Sequence, residues 1–192
     1  MQVGVLALQG AFAAHSECLT SIGVQSVEVR TPEQLNSVDA LLMPGGESST
    51  MSQLLESSEL FDPMSTRIAD GMPFFGTCAG MILLASEILD GRSDQRSFSA
   101  IDISVRRNAF GRQVDSFEAT VNSSVGDFHG VFIRAPRIER VGENVEVLGS
   151  INDEPVLVRQ GNVLAASFHP ELSNDARLHE YFVSITANRK KV

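Results

Sequence analysis

Residues 72–80 read Met-Pro-Phe-Phe-Gly-Thr-Cys-Ala-Gly, an apolar run that leads directly into a cysteine set between small residues. This order predicts a buried strand, a tight turn at Cys78 and a helix that begins near Met81. A nucleophile on such a connection must point out of a cramped turn, so its neighbours need to be Gly or Ala. We therefore expect Cys78 to be a nucleophile that works through a covalent acyl-thioester.

His169 is the best candidate for the base that such a nucleophile needs. It follows the apolar run 163–168, at the C-terminal end of a predicted strand, and Pro170 and Glu171 come next. The residue before a proline favours extended geometry, and residues i and i+2 of an extended chain point to the same side. His169 and Glu171 are therefore expected to face one site as members of a Cys-His-Glu triad. The alternative is a turn that merely contains His and Glu.

The other three histidines are weaker candidates for a catalytic role. His15 lies on the predicted first helix, His129 alternates within a strand, and His179 lies on the last helix. For each, we expect a structural or surface role. Cys18, on the same helix as His15, is most simply a small buried apolar side chain.

The composition excludes several function classes. The chain has 192 residues, is 43% hydrophobic and carries a net charge of −9, which argues against nucleic acid or an anionic membrane as a partner. Two cysteines provide neither a disulfide framework nor a zinc cluster. No apolar run is long enough for a signal peptide or a membrane span. We expect a single domain over residues 1–192 in a reducing cytoplasm.

The first half of the chain alternates strand and helix patterns, which predicts an α/β protein whose mostly parallel sheet is covered by helices on both faces. The predicted strands cover residues 3–8, 24–29, 40–43 and 72–75. The predicted helices cover residues 12–22, a stretch after residue 50 that ends near 56, 61–70 and 81–89, with a short turn at 31–33.

The pattern changes after Asp90, where a polar loop over 91–97 is followed by short alternating segments. These predict antiparallel hairpins that extend the sheet, with strands at 101–105, 116–120, 130–133, 145–151, 155–159 and 163–168. A final helix, capped by Asn174 or Asp175, is expected to end near Asn188 and to leave 189–191 as a solvated tail.

Two polar loops accompany this framework. Residues 44–48, Pro-Gly-Gly-Glu-Ser, join a strand to a helix and offer free amides suited to a phosphate or an oxyanion. The carboxyl ends of parallel strands share one edge, so we expect this loop beside Cys78 and His169, in an oxyanion-hole and substrate role. The alternative is ordinary turn chemistry. Residues 106–113, taken alone, indicate a basic hairpin loop.

Six segments in order resemble a known family, the glutaminase subunits of pyridoxal 5′-phosphate synthase, within the class I (triad-type) glutamine amidotransferases. They are Gly-Val-Leu-Ala-Leu-Gln-Gly at 4–10, Pro-Gly-Gly-Glu-Ser at 44–48, Gly-Thr-Cys-Ala-Gly at 76–80, Arg-Asn-Ala-Phe-Gly-Arg-Gln at 107–113, Phe-Ile-Arg-Ala-Pro at 132–136 and His-Pro-Glu-Leu at 169–172. The resemblance covers nearly the whole chain. A small departure is Ser49, where the family commonly has Thr.

The resemblance implies the fold of that class and the hydrolysis of L-glutamine, with the ammonia passed to a separate ring-building synthase subunit. It implies that the chain holds no pyridoxal phosphate and no metal. Cys78 is then the nucleophile, His169 the base and Glu171 the residue that orients it. The resemblance further assigns substrate contacts to Gly46, Glu47, Ser48, Arg107, Ile133 and Arg134, and the oxyanion hole to the amides of Gly46 and Ala79. Gln9 and Gly10 are expected on the rim that faces the synthase.

Three other functions remain open from the residues alone. The nucleophile elbow, which is the Gly-Thr-Cys-Ala-Gly turn at 76–80, and the His-Pro-Glu segment suit the glutaminase partner of another biosynthetic synthase, although the basic 107–113 segment suits it less well. A free-standing cysteine hydrolase of similar topology needs no partner for activity. A non-catalytic regulatory subunit is disfavoured because Cys78, His169 and Glu171 are all present.

Overall fold

The structure, a computed structural model, describes residues 1–109 and 116–189. Its strands are β1 Val3–Leu6, β2 Ser26–Val29, β3 Ala40–Met43, β4 Phe74–Thr77, β5 Ala85–Ile88, β6 Ile101–Arg106, β7 Phe117–Ser123, β8 Phe128–Phe132, β9 Arg137–Val141, β10 Glu146–Ile151, β11 Glu154–Gln160 and β12 Val163–Ala166. Its helices are α1 Phe12–Ser21, α2 Pro32–Asn36, α3 Ser48–Ser57, α4 Phe61–Ala69, α5 Ala79–Leu84 and α6 Arg177–Arg189, and a 3₁₀ turn covers Pro170–Leu172.

The described strands form one large sheet in the order β2-β1-β3-β4-β12-β11-β10-β7-β8. The strands from β2 to β12 run parallel, and those from β12 to β8 pair antiparallel. The predicted α/β class, with a mostly parallel sheet and an antiparallel extension, is thus confirmed. The sheet also brings the C-terminal ends of β3, β4 and β12 together, because these three are direct neighbours.

Side chains that alternate along the parallel strands pack into two cores, one on each face of the sheet. Phe74 lies in one core and Phe75 in the other. The first core receives buried residues from α2, α3, α4 and α5, and the second from α1 and α6. Helices therefore cover both faces, which gives the three-layer arrangement expected for buried parallel strands.

The helix predicted over 81–89 is wrong in its second half. Helix α5 ends at Leu84, and β5 pairs with β6, with Ala85 opposite Ile101. The apolar run suits a buried helix and a buried strand equally well, so the partner strand decided the outcome. Strands β5, β6 and β9 form a separate small sheet, so the prediction that 101–105 extends the main sheet is also wrong.

Smaller differences concern local chemistry and strand position. The turn predicted at 31–33 is instead the start of α2, where Thr31 and Gln34 form a capping box. Strand β12 pairs antiparallel with β11, as predicted, but it also pairs parallel with β4 and so lies inside the parallel part of the sheet. At the last helix, Asp175 rather than Asn174 accepts a hydrogen bond from a helix amide, that of Arg177, at 3.0 Å. In the part of the chain that the structure describes, no helix is long and apolar enough to cross a membrane.

Candidate active site

Cys78 occupies the turn between β4 and α5. Its backbone has φ 50° and ψ −103°, a conformation that side-chain-bearing residues adopt only under strain. The Cys78 amide donates a hydrogen bond to the Ala166 carbonyl of β12 at 2.8 Å, which anchors the turn to the neighbouring strand. Only 6% of the residue is exposed. This is the strained strand–turn–helix geometry predicted from the sequence.

The glycines beside Cys78 are required by close backbone approach. A Cβ on Gly76 would lie 2.5 Å from the Gly80 carbonyl carbon, and a Cβ on Gly80 would overlap the Met43 carbonyl oxygen of β3. Helix α5 therefore packs directly against the ends of β3 and β4. Ala79, between Cys78 and Gly80, is fully buried.

His169 follows β12, and its amide donates to the Val131 carbonyl at 2.9 Å. Its Nδ1 lies 2.8 Å from Glu171 Oε1, and both residues are buried. The pair meets as predicted, but not through extended chain, because residues 170–172 form a 3₁₀ turn. Pro170 begins that turn, which curls Glu171 back under the imidazole.

The charges of this pair reinforce one another. Burial acts to lower the pKa of His169, but its hydrogen bonds to Cys78 and Glu171 outweigh burial and raise the pKa to about 10. Burial acts to raise the pKa of Glu171, but the hydrogen bond from His169 lowers it below its ordinary value. At neutral pH the site therefore holds an imidazolium between the Glu171 carboxylate and the Cys78 sulfur atom.

The loop at 44–48 lies against these two side chains. A Cβ on Gly45 would overlap His169 Cε1 and would lie 3.3 Å from Cys78 Cβ. Glu47 caps α3, accepting hydrogen bonds from the amides of Ser49 and Thr50 at 3.1 and 2.7 Å. Burial opposes ionisation of Glu47, but these hydrogen bonds lower its pKa to about 2, so it is a carboxylate at neutral pH.

A cleft of about 240 Å³ opens in front of Cys78 and His169. All six residues predicted to contact the substrate line it, namely Gly46, Glu47, Ser48, Arg107, Ile133 and Arg134. The Cys78 sulfur is 3.9 Å from the carbonyl oxygen of Ile133, which follows β8 and also lines the cleft. Gly10 lies at the rim. Gln9 reaches the same loop, with its Oε1 3.2 Å from the position of a Cβ on Gly46.

Arg107 is held at the edge of the cleft by neighbours from α3 and the 91–100 loop. Its Nη1 donates to Ser49 Oγ at 2.7 Å and lies 3.6 Å from Glu47 Oε1. Its buried Nε has no hydrogen-bond partner among the described residues. The rest of the predicted basic segment, residues 110–113, lies outside the described part of the chain, as do Lys190 and Lys191 of the predicted tail.

Sequence reasoning missed two buried histidines that adjoin the triad. His15 and His179 are both fully buried, and His15 Nε2 lies 3.3 Å from Glu171 Oε2. Both are buried and hydrogen-bonded inside the protein, which agrees with the structural alternative of the prediction, but nothing in the sequence placed them behind Glu171. The sequence did contain one indication that His15 is buried. It lies four residues before the buried Leu19, and residues i and i+4 of a helix share a face, so both face the sheet. His129 is the surface histidine that was expected, 2.7 Å from Glu118. Cys18, expected to be buried, is partly exposed.

Within residues 1–109 and 116–189, no group of three or more His, Cys, Asp or Glu side chains is arranged to hold a metal ion. The polar groups of the site instead suit a small organic substrate with charges of both signs. Arg107 supplies positive charge and Glu47 supplies negative charge in the same cleft that Cys78 lines.

Comparison with known proteins gives a consistent result. The model of the SNO glutamine amidotransferase family matches residues 5–188. The chain is 56% identical over 191 residues to "Pyridoxal 5′-phosphate synthase subunit PdxT" of Salinispora arenicola, covering 95% of each chain. It is 54% identical over 194 residues to the protein of the same name from Corynebacterium jeikeium, covering 98% of each.

Solved structures agree with this result. A crystal structure described as a glutamine amidotransferase superposes with a TM-score of 0.92 at 51% identity, covering 96% of this chain and 98% of that one. The structure of PurLQS from Thermotoga maritima has a TM-score of 0.69 at 13% identity, covering 95% of this chain and 97% of that one. The second likeness concerns the fold alone.

Proposed function

Because the chain belongs to the SNO glutamine amidotransferase family, we propose that it is a glutaminase that hydrolyses L-glutamine to L-glutamate and ammonia with Cys78, His169 and Glu171. The observation that carries the proposal is the line of three side chains at the cleft. Cys78 lies on a strained turn, His169 beside it has a raised pKa, and Glu171 Oε1 is 2.8 Å from His169 Nδ1.

In the proposed reaction the Cys78 sulfur attacks the side-chain amide carbon of glutamine. The carbonyl oxygen becomes an oxyanion, and His169 then donates its proton to the departing nitrogen as the C–N bond breaks. Ammonia leaves, and a γ-glutamyl thioester remains on Cys78. His169, now neutral, takes a proton from water, whose oxygen attacks the thioester and releases glutamate.

The amides of Gly46 and Ala79 are proposed to receive the oxyanion. Ala79 follows the nucleophile directly, and Gly46 belongs to the loop that packs on Cys78 and His169 through Gly45. Two such amides would stabilise a charge that appears only during the reaction. Removal of one such donor costs about 10²–10³ in kcat in other acyl-transfer enzymes.

Substrate selection is proposed to depend on charge. Glutamine carries a carboxylate and an ammonium at one end, and Arg107 and the ionised Glu47 lie together on one wall of the cleft, 3.6 Å apart. A guanidinium binds a carboxylate through paired N–H donors, and Glu47 with neighbouring carbonyls accepts from the ammonium. Ser48, Ile133 and Arg134 complete the contacts to the substrate.

We also propose that the ammonia passes to the ring-building subunit of pyridoxal 5′-phosphate synthase, as the names of the relatives indicate. At the rim of the cleft, Gln9 and Gly10 would then contact that subunit. No cofactor is assigned to this chain. A cytoplasmic location suits a nucleophilic thiol that must stay reduced.

The test is ammonia and glutamate production from glutamine, measured for the chain alone and in the presence of the synthase subunit. We expect weak hydrolysis alone and faster hydrolysis in the complex. Cys78→Ala should abolish turnover in both, His169→Ala should cost nearly as much, and Glu171→Gln should cost less because the base remains. Full activity of Cys78→Ala, or labelling of Cys18 instead of Cys78 by a glutamine-mimicking electrophile, would disprove the assignment.

A further inference from the structure

His15 is a buried titratable group that the proposed reaction does not use. It lies on α1 with no exposed surface, behind Glu171 as seen from the cleft. Its Nε2 is 3.3 Å from Glu171 Oε2 and 3.2 Å from Thr77 Oγ1, and its Nδ1 is 3.0 Å from His179 Nε2. Thr77 directly precedes the nucleophile, so one imidazole touches both the elbow strand and the carboxylate of the triad.

The partners of His15 determine where its proton lies. A lone pair on Nε2 would face the ionised Glu171, whereas an N–H there is attracted to it, so the proton belongs on Nε2. Nδ1 is then an acceptor, and His179 Nε2 must be the donor to it. His179 Nδ1 is buried without a partner among the described residues. An unpaired acceptor at that atom costs less than an unpaired N–H, which the opposite arrangement would require.

The protonation states agree with this order of donors. Burial lowers the pKa of His15 to about 3 and that of His179 to about 4, despite the opposing charge of Glu171. Both imidazoles are therefore neutral at neutral pH and carry one N–H each. The negative charge of Glu171 is not neutralised from behind, so it remains available to His169.

A carboxylate needs a second contact to be held in one orientation. Rotation about the last torsion of a glutamate has broad minima, so one hydrogen bond at Oε1 leaves the plane of the group loosely defined. Glu171 Oε2 is buried without a hydrogen-bond partner among the described residues, and the His15 Nε2–H, 3.3 Å away, is the electrostatic contact that limits this freedom. The same N–H lies within reach of the Thr77 hydroxyl, one residue from Cys78.

We propose that His15 is a positioning residue for the triad: its Nε2–H bonds the Thr77 hydroxyl and attracts Glu171 Oε2 electrostatically from 3.3 Å, and His179 keeps the proton on that nitrogen. Glu171 then presents Oε1 to His169 in a fixed plane. This proposal rests on the proposed glutaminase function for its main readout, and a second readout below does not depend on glutamine.

The test compares two near-isosteres of histidine in the complex with the synthase subunit. His15→Gln carries an amide N–H₂ near the Nε2 position and keeps the donor to Glu171. His15→Asn keeps a polar atom near the Nδ1 position, facing His179, and loses that donor. We expect the Asn variant to lower kcat about 10-fold or more with KM within about twofold, and the Gln variant to stay within about threefold of wild type. His129→Asn, on the surface, is the control.

A double-mutant cycle separates positioning from simple support of the fold. If His15 acts through Glu171, His15→Asn should cost little once Glu171→Gln has already removed the charge. Equal losses in both backgrounds, or equal activity of the Asn and Gln variants, would overturn the proposal. If His15→Asn does not fold, His179→Met enters the same cycle, because it removes the donor that keeps the His15 proton on Nε2.

Alkylation of the thiol gives the readout without glutamine. In a Cys18→Ala background, iodoacetamide should react with Cys78 more slowly in the His15→Asn variant than in the His15→Gln variant. If the wild-type complex releases no ammonia, the proposed glutaminase function is refuted, but the role of His15 is not. If the two variants are alkylated at equal rates, the role of His15 is refuted, but the proposed glutaminase function is not.

Discussion

Gly10 packs on the Gly45 carbonyl so closely that a Cβ on Gly10 would overlap the Gly45 oxygen. Gly10 also has φ +86°, a backbone conformation that side-chain-bearing residues rarely adopt. A Cβ on Gly45 would in turn overlap His169 Cε1. Gly10, on the rim expected to meet the synthase, therefore packs on Gly45, and Gly45 packs on the base His169. The Gly46 amide belongs to the same loop.

This contact predicts that Gly10→Ala impairs hydrolysis itself as well as coupling to a partner. The added methyl must push the Gly45–Gly46 peptide away, and a misplaced Gly46 amide is expected to lower kcat by about 10². The measurement is glutamine turnover with the synthase partner at saturation. Gly23→Ala is the matched control, because Gly23 also has positive φ but a Cβ there meets nothing within 4 Å. Normal turnover by Gly10→Ala would contradict the role of this contact.

Gly80 is expected to be intolerant of any side chain. A Cβ there would overlap the Met43 oxygen, so Gly80→Ala must displace α5 from β3, lowering the free energy of unfolding by roughly 1–3 kcal/mol and misplacing Cys78. Gly161→Ala provides the comparison, since its Cβ meets nothing within 4 Å and only its φ of +58° is unfavourable. Denaturant unfolding and turnover of both variants check this. Equal stability of the two would show that the α5–β3 approach can relax.

The pKa of His169 should depend on Cys78. The hydrogen bond with Cys78 is the largest of the influences that raise this pKa to about 10 against the effect of burial, so Cys78→Ala should lower it markedly. An NMR titration of the imidazole, assigned with His169→Ala, measures the change. An unchanged pKa in Cys78→Ala would mean that the thiol is not a partner of His169.

The same shift has a consequence for stability. A folded-state pKa raised above the ordinary value of 6.5 contributes stability that is complete below pH 6.5 and is lost as the pH rises through about 10. The melting temperature of the wild type should therefore fall between pH 7 and pH 10 more steeply than that of Cys78→Ala. Parallel curves for the two proteins would count against the Cys78–His169 hydrogen bond as a source of the raised pKa.

Arg107 and Arg134 are expected to differ in their importance for substrate binding. The Arg107 guanidinium is fixed by Ser49 and has a buried Nε without a partner among the described residues, whereas Arg134 is exposed and has φ 46°. We expect Arg107→Gln to raise KM at least about 10-fold with a smaller change in kcat, and Arg134→Gln to raise it only a few-fold. Steady-state kinetics with varied glutamine tests this. The reverse ranking would assign the carboxylate of the substrate to Arg134.

Part of the site was readable from short stretches of the chain, because its geometry is local. A strand, a tight turn with small residues and a helix place Cys78, and each of these is set by residues within one or two turns of chain. His169 and Glu171 were paired correctly for the same reason, since they are two residues apart. The 3₁₀ turn at Pro170–Leu172 was not predicted, because the sequence does not distinguish extended chain from a 3₁₀ turn over three residues.

Residues 85–88 show where local patterns fail. Four residues after a helix became strand β5 because β6 offered hydrogen bonds to them, and the competing helix had an equally apolar pattern. Strand β9, with its alternating charges, was missed because it lies at the edge of the small sheet, where one face is exposed.

The sequence by itself determined the α/β class, the elbow and the His-Pro-Glu pair, because strand period, turn chemistry and backbone sterics act over a few residues. Only the tertiary structure decided that β12 lies beside β4 and that His15 meets His179 across 164 residues of sequence behind Glu171. Such contacts form because packing two helices onto one face of the sheet buries both imidazoles at the same point. No short-range pattern specifies which buried side chains will meet there.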